Sequence, residues 1–345
     1  MNTEELPMIL FTVIAQMAVG AFWALGVIHL FGLRKKLTAT EVDRVTNAAL
    51  FAVGPLLVLG FFAAFFHLND PFHAPYTLAH VGSSWLSREL LFGVLFGLLG
   101  FIFALAQWFG WFNRNMREVL AALAALAGLG LLVSMSGVYF SVRTIPAWHT
   151  PAVPVFFFAS AILTGTLAVA LALLVVWNRS SRRVEAPVEI PQAPGSALEQ
   201  RKRLLSSRLF GGDANEPLGT ALVELVRGSL QWLSVASAAA GIIIFITYPP
   251  YLLQLAQGNG AAQHVAGEIS GGMLVWRLLL LGVAVVLAGV FAFMRARTSM
   301  KPNTVLTVMI AAAFATAVVS ELLGRSLHYE GLWHVGLNTV QSFML

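Results

Sequence analysis

No cysteine occurs anywhere in the 345 residues. Thiolate-held iron–sulfur clusters, c-type haem attachment, disulfides and a thiol nucleophile are therefore excluded within this chain. Any electron chemistry must use a bound organic cofactor, a histidine-ligated haem or a partner subunit. Charge is scarce too: 11% of residues are Asp, Glu, Lys or Arg, against 58% hydrophobic, and mean hydropathy is +0.79. Soluble globular domains do not have this balance. The net charge of +5 is no signal for nucleic acid, because the basic residues sit in loops and the loops alternate.

What is present is a series of apolar runs, each near the roughly 20 residues that a helix needs to cross a bilayer. Eight spans are expected, at 6–32, 44–67, 86–110, 117–142, 152–177, 219–247, 273–294 and 303–324. The fold class is an all-α polytopic membrane protein of eight transmembrane helices. The first run has no charged segment before it and no small-residue cleavage pattern after it, so it is expected to be retained. Alternate loops carry Arg34, Lys35, Lys36 and Arg44; Arg114 and Arg117; seven bases between Arg179 and Arg208; and Arg295, Arg297 and Lys301. The other side has only Arg88, Arg143 and Arg325. Sixteen bases against three put the basic loops in the cytoplasm and both termini outside, in the periplasm of a Gram-negative cell. Residues 178–218, rich in Arg, Pro, Gly and Ser, form a basic cytoplasmic linker; it divides a five-span half (1–177) from a three-span half (219–345).

Titratable groups gather at the outer ends. His67, His73, His80, His149, His264, His328 and His334 all fall there, while only His29 lies at a cytoplasmic end. Asp70, Glu89, Glu268 and Glu330 lie with them, and Glu321 sits four residues before Arg325. No string of buried acids or histidines crosses the middle, which weighs against a proton-coupled carrier. Taken singly, each rim residue has a structural explanation. Ser84 or Ser87 caps the third span, and Glu89 then sits in its first turns, favourably placed against the helix dipole. Glu321 and Arg325 form an i, i+4 pair, and Trp85, Trp148, Trp276 and Trp333 suit an interfacial belt.

Taken together they suit something sharper. His67 ends one span and Glu89 begins the next, joined by a loop punctuated with Pro and Gly. Two proton acceptors at one depth, beside an apolar cleft and close to water, suit oxidation of a quinol, which releases two protons and two electrons.

At these residues the sequence resembles the membrane-anchor subunits of dimethyl sulfoxide reductase. The matching pieces are His67-Leu68 with Pro71, Gly82 through Glu89, Val138-Tyr139 with Thr144, Pro146 and Trp148, Trp276-Arg277, Glu321 through Arg325, and Pro7 through Thr12. The resemblance implies an anchor in the bacterial inner membrane, without a metal of its own. It implies menaquinol oxidation near the outer face, with electrons passing to an iron–sulfur ferredoxin-like subunit and then to a molybdopterin catalytic subunit. It also implies His67 and Glu89 as quinol-binding proton acceptors. Arg88, Tyr139, Trp148, Arg277, Glu321 and Arg325 are candidates for supporting roles. The basic linker and the additional His73 and His80 depart from the pattern. Two alternatives stay open at this point: a haem b anchor ligated by His67 with His149 or His264, which a Soret band would reveal, and a transporter.

Overall fold

The computed structural model describes residues 5–65, 71–184, 201, 205, 218–299 and 301–335. His67, Asp70 and nearly all of the 185–217 stretch lie outside the described residues. Among the described residues eight helices are long and apolar enough to cross a membrane. They are α1 (Leu6–Arg34), α2 (Ala39–Phe65), α3 (Trp85–Phe109), α4 (Arg114–Phe140), α5 (Ala152–Val184), α6 (Thr220–Ala256), α8 (Gly272–Thr298) and α9 (Thr304–Glu330). A short amphipathic helix, α7 (Gly260–Ile269), lies between α6 and α8, and Pro71–His80 form a 3₁₀ segment before α3.

Local chemistry explains most of the ends. Asn113, Asn259 and Asn303 accept from Met116, Ala262 and Val305 backbone N–H groups, so each occupies an otherwise orphaned donor in a first turn. Ser84 does the same for α3, accepting from the Ser87 amide at 3.3 Å. Elsewhere the helices outrun the expected spans. Helix α5 continues to Val184, into the stretch expected as linker. Helix α6 passes through Pro249-Pro250 and ends only at Ala256. Two prolines remove two donors and bend a helix, yet a helix packed in an apolar bundle tolerates them because stopping would strand more backbone groups. Helix α8 is continuous, with a π-helical turn at Leu287–Ala292. Helix α9 extends to Glu330 rather than ending at 324, so His328 and Tyr329 belong to a helix and not to a loop.

The five-span and three-span halves pack directly on one another. Helix α5 packs against both α1 and α6, and α9 reaches α5 and α1. Small residues make the α1–α5 crossing: Gly20 and Ala21 on one helix, Ala161 and Gly165 on the other. A Cβ built on Gly20 would lie 1.8 Å from the Ala161 carbonyl oxygen, and one on Gly165 would lie 2.3 Å from the Ala21 nitrogen. Backbone meets backbone there, which is how helices associate where lipid removes the hydrophobic driving force. Gly165→Ala should therefore force α1 and α5 apart and destabilise the chain by about 1–3 kcal/mol or more. A thermal melt in detergent will show the lowered midpoint; an unchanged midpoint would mean the crossing can widen freely.

Consecutive spans run in opposite directions, so the start of α3, α5 and α8 and the end of α4, α6 and α9 share one edge, opposite to Arg34–Lys36, Arg114, Arg117, Arg295 and Arg297. This is the outer edge of the charge argument above. The inner edge has a polar tie of its own, where His29 Nε2 lies 3.2 Å from Thr46 Oγ1 and 3.4 Å from Asp43 Oδ1, joining α1 to α2.

Candidate functional site at the outer edge

Helix α3 begins at Trp85, and Trp85, Glu89, Phe92 and Phe96 follow at helical spacing along one face. Glycines on α4 receive that face. A Cβ on Gly137 would lie 2.6 Å from the Trp85 indole, and one on Gly130 would lie 2.4 Å from the Phe92 ring. The two aromatic rings are thus seated in notches of α4, and Glu89, between them, is turned into the bundle rather than toward lipid. Its residue is 8% exposed. The carboxyl makes no hydrogen bond or ion pair with the described residues. A buried carboxyl with no partner is costly to keep unless its proton chemistry is used, so a purely capping role accounts poorly for it.

Arg88, beside it, has a different fate. Its Nε donates to the Val81 carbonyl at 2.8 Å, its Nη2 to the Gly82 carbonyl at 2.7 Å, and its guanidinium covers the Trp85 ring at 4.5 Å. Arg88 fastens the incoming loop to the start of α3.

Across from Glu89, the ends of α4 and α9 meet. The Tyr139 and Tyr329 hydroxyls are 2.7 Å apart, and Glu89 is close enough to act on both electrostatically. Trp148, from the loop after α4, stacks on His328 with centroids 5.5 Å apart and donates from Nε1 to the His328 carbonyl at 2.8 Å. Tyr139 stands edge-on to both rings, 5.0 Å from Trp148 and 4.5 Å from His328. Trp148 is therefore a packing residue inside this aromatic group; Trp276, 64% exposed, remains placed for an interfacial belt. The C-terminal segment closes over the loop, with the Val335 amide donating to the Thr144 carbonyl at 2.9 Å. Tyr329→Phe would leave the buried Tyr139 hydroxyl without its partner. A loss of about 1–3 kcal/mol is expected, read as a lower melting midpoint, and no change would show that Tyr139 finds another acceptor.

Arg277, Glu321 and Arg325 form a cluster of their own. The expected i, i+4 pairing of Glu321 with Arg325 is not the one formed: Glu321 Oε1 pairs instead with Arg277 Nη2 at 3.5 Å, across from α8. Arg325 turns toward α1, donating to Gln16 Oε1 at 3.1 Å with its guanidinium 3.7 Å over the Phe157 ring. All three are 3% exposed or less. Gly324 makes the arrangement sterically possible, since a Cβ there would lie 1.7 Å from Arg277 Nη1. Tyr248, on α6, lies under Arg277 at 4.9 Å. Sequence spacing alone favours the nearer partner because i, i+4 neighbours share a helix face; packing of α8 against that face supplies another cation.

The structure thus brings together Glu89, Tyr139 and Trp148 with His328, expected at the outer edge but not among the site candidates, and with Tyr329. Arg277, Glu321 and Arg325 form a neighbouring group, and His67 lies outside the described residues. His149 is bound through Nδ1 to the Phe140 carbonyl at 2.6 Å, and His264 packs 4.1 Å from the Trp333 ring. Among the described residues no three His, Asp or Glu side chains gather as a metal site.

Comparison with known proteins covers part of the chain. One relative is a chain of the anaerobic dimethyl sulfoxide reductase of Haemophilus influenzae, 33% identical over 177 residues, which are 51% of this sequence and 61% of the relative. The like-named chain from Escherichia coli is 31% identical over 164 residues, 48% and 56% respectively. A sulfite dehydrogenase subunit of Allochromatium vinosum is 28% identical over 142 residues, 38% and 43%. The matches span less than two thirds of the length of these relatives. The family described as DMSO reductase anchor subunit (DmsC) matches residues 1–190, more than half of the sequence, and that stretch contains Glu89, Tyr139 and Trp148. With eight apolar helices and this match, the chain is a multi-pass membrane protein of the DMSO reductase anchor subunit (DmsC) family.

Proposed function

We propose that this chain is the membrane anchor through which an oxidoreductase of the dimethyl sulfoxide reductase type draws electrons from menaquinol, at the outer edge of the bundle beside Glu89. The observation that carries the reading is the buried Glu89 carboxyl on the bundle face of α3, unpaired among the described residues. Quinol oxidation to quinone releases two protons and two electrons. Glu89, as a carboxylate, accepts one proton from a quinol hydroxyl; His67, at the end of the preceding span, accepts the other. The electrons leave for a ferredoxin-like iron–sulfur subunit, since this chain has no cysteine to hold clusters, and then for a molybdopterin catalytic subunit. Trp85 and Phe92 seal Glu89 from α4, and Arg88 fastens the loop that leads into α3. The membrane is the bacterial inner membrane, with the basic loops inside.

The likeness to a sulfite dehydrogenase subunit bears on direction. The same two acceptors would donate protons to quinone if electrons arrived from the partner.

A photoactivatable menaquinone analogue in membranes containing the whole complex tests the placement. Labelling is expected on the segment from the end of α2 to the first turns of α3. Labelling confined to the inner ends of α1 and α2, near His29 and Asp43, would refute it. Because both protons leave on the outer side, where reduction of an oxide also takes up protons, turnover in reconstituted vesicles should build no membrane potential; a potential that a quinol-site inhibitor abolishes would contradict this.

A further inference from the structure

The cluster of Arg277, Glu321 and Arg325 has an imbalance that its own residues do not resolve. It holds two guanidiniums and one carboxylate, all 3% exposed or less. Glu321 is committed to Arg277. Arg325 has no carboxylate within ion-pair distance among the described residues, and its hydrogen-bond acceptor, Gln16, is neutral. A cation–π contact with Phe157 offsets part of the charge, but an uncompensated buried cation is strongly unfavourable. Beside these groups, between α5, α6, α8 and α9, lies a cavity of about 20 Å³ lined by Arg277, Arg325, Glu321, Tyr248, Tyr251 and His328. That space exceeds the roughly 10–15 Å³ needed for a water centre and is far below the hundreds of Å³ that a quinone-sized ligand needs. Two of the lining side chains carry unsatisfied nitrogens: Arg277 Nε and His328 Nε2 are buried without a hydrogen-bond partner among the described residues.

We propose that this cavity is a binding site for a small monovalent inorganic anion of the chloride class, which supplies the counter-charge of Arg325 and accepts from Arg277. Water satisfies the donors but leaves the charge. A halide does both, and with it the cluster is neutral. The anion thereby holds α8 and α9 against α5 and α6, and the site is independent of the quinol reading because neither Glu89 nor His67 takes part.

The test uses the full chain in detergent, with sodium bromide against sodium gluconate at constant ionic strength. Bromide should raise the melting midpoint by roughly 2–4 °C for each tenfold increase above its dissociation constant. Gln16→Glu places a carboxylate against Arg325 in the same shape. That variant should melt at the bromide-saturated wild-type midpoint or above it, and should not respond to bromide. Anomalous scattering from bromide-soaked crystals of the wild-type chain should show a peak between Arg277 and Arg325. Equal wild-type melting in the two salts, a full bromide response in Gln16→Glu, or a bromide response without a peak in the cavity would each overturn the site. If Gln16→Glu does not fold, the wild-type melting series and the bromide map decide.

Discussion

Replacing Glu89 by Gln is expected to abolish quinol-driven turnover while leaving the complex assembled and its dye-driven reductase activity at the wild-type level. Gln matches the carboxyl in shape, so the seat between Trp85 and Phe92 is kept. What it removes is the ability to gain a proton. Acid–base groups of this kind contribute about 10²–10⁴-fold, and the nearby Tyr139 and Tyr329 hydroxyls are already engaged with each other. Quinol-driven turnover should accordingly fall by that factor, measured with a soluble menaquinol analogue against a viologen dye in the same membranes. Retention of the wild-type rate would make Glu89 a structural acid near the start of α3. Loss of both activities would point to failed assembly instead, and Glu89→Asp then separates the two: it keeps the chemistry while shortening the reach, so partial quinol turnover is the expected result.

The second large effect is on stability. Removing Glu321 alone, as Glu321→Leu, leaves Arg277 and Arg325 buried with no carboxylate between them. Breaking a buried pair from one side costs about 3–5 kcal/mol, because the surviving charge keeps its desolvation penalty. Arg277→Leu is expected to cost less, because Arg325, four residues along α9, still faces the Glu321 carboxylate electrostatically. The double replacement removes both charges together and should recover much of the loss, since an apolar pair of similar volume in place of a buried ion pair is often neutral. Midpoints of the two single variants and the double variant in detergent give the cycle directly. Additive losses in the double variant would mean that the 3.5 Å contact between Arg277 and Glu321 carries no coupling.

The class of the molecule and most of its span positions are legible in composition and hydropathy, because a bilayer leaves helices few alternatives. Ser84 as the cap of α3, with Glu89 in the first turns, also follows from local rules, and the structure forms it. Three features do not follow from local rules. Glu321 bonds a cation on another helix, and no periodicity encodes which helix packs opposite. Pro249-Pro250 read locally as a stop, yet α6 continues because its neighbours favour unbroken backbone pairing. The last turns of α9 are too polar to score as a span, with Arg325, His328, Tyr329 and Glu330 in sequence order, so their helical packing on Tyr139 and Trp148 is hidden. A signal for it exists: His328 and Tyr329 follow Arg325 at helical spacing, and Gly331 comes where a helix ends.

Infrared difference spectroscopy of the complex, recorded between quinol-reduced and quinone-oxidised states, probes the proton on Glu89 itself. A carboxyl C=O stretching band should change on quinol oxidation in the wild-type complex and be missing from the Glu89→Gln spectrum. An unaltered band in Glu89→Gln, or turnover in the wild type with no carboxyl band at all, would contradict a proton-accepting Glu89 at the outer edge.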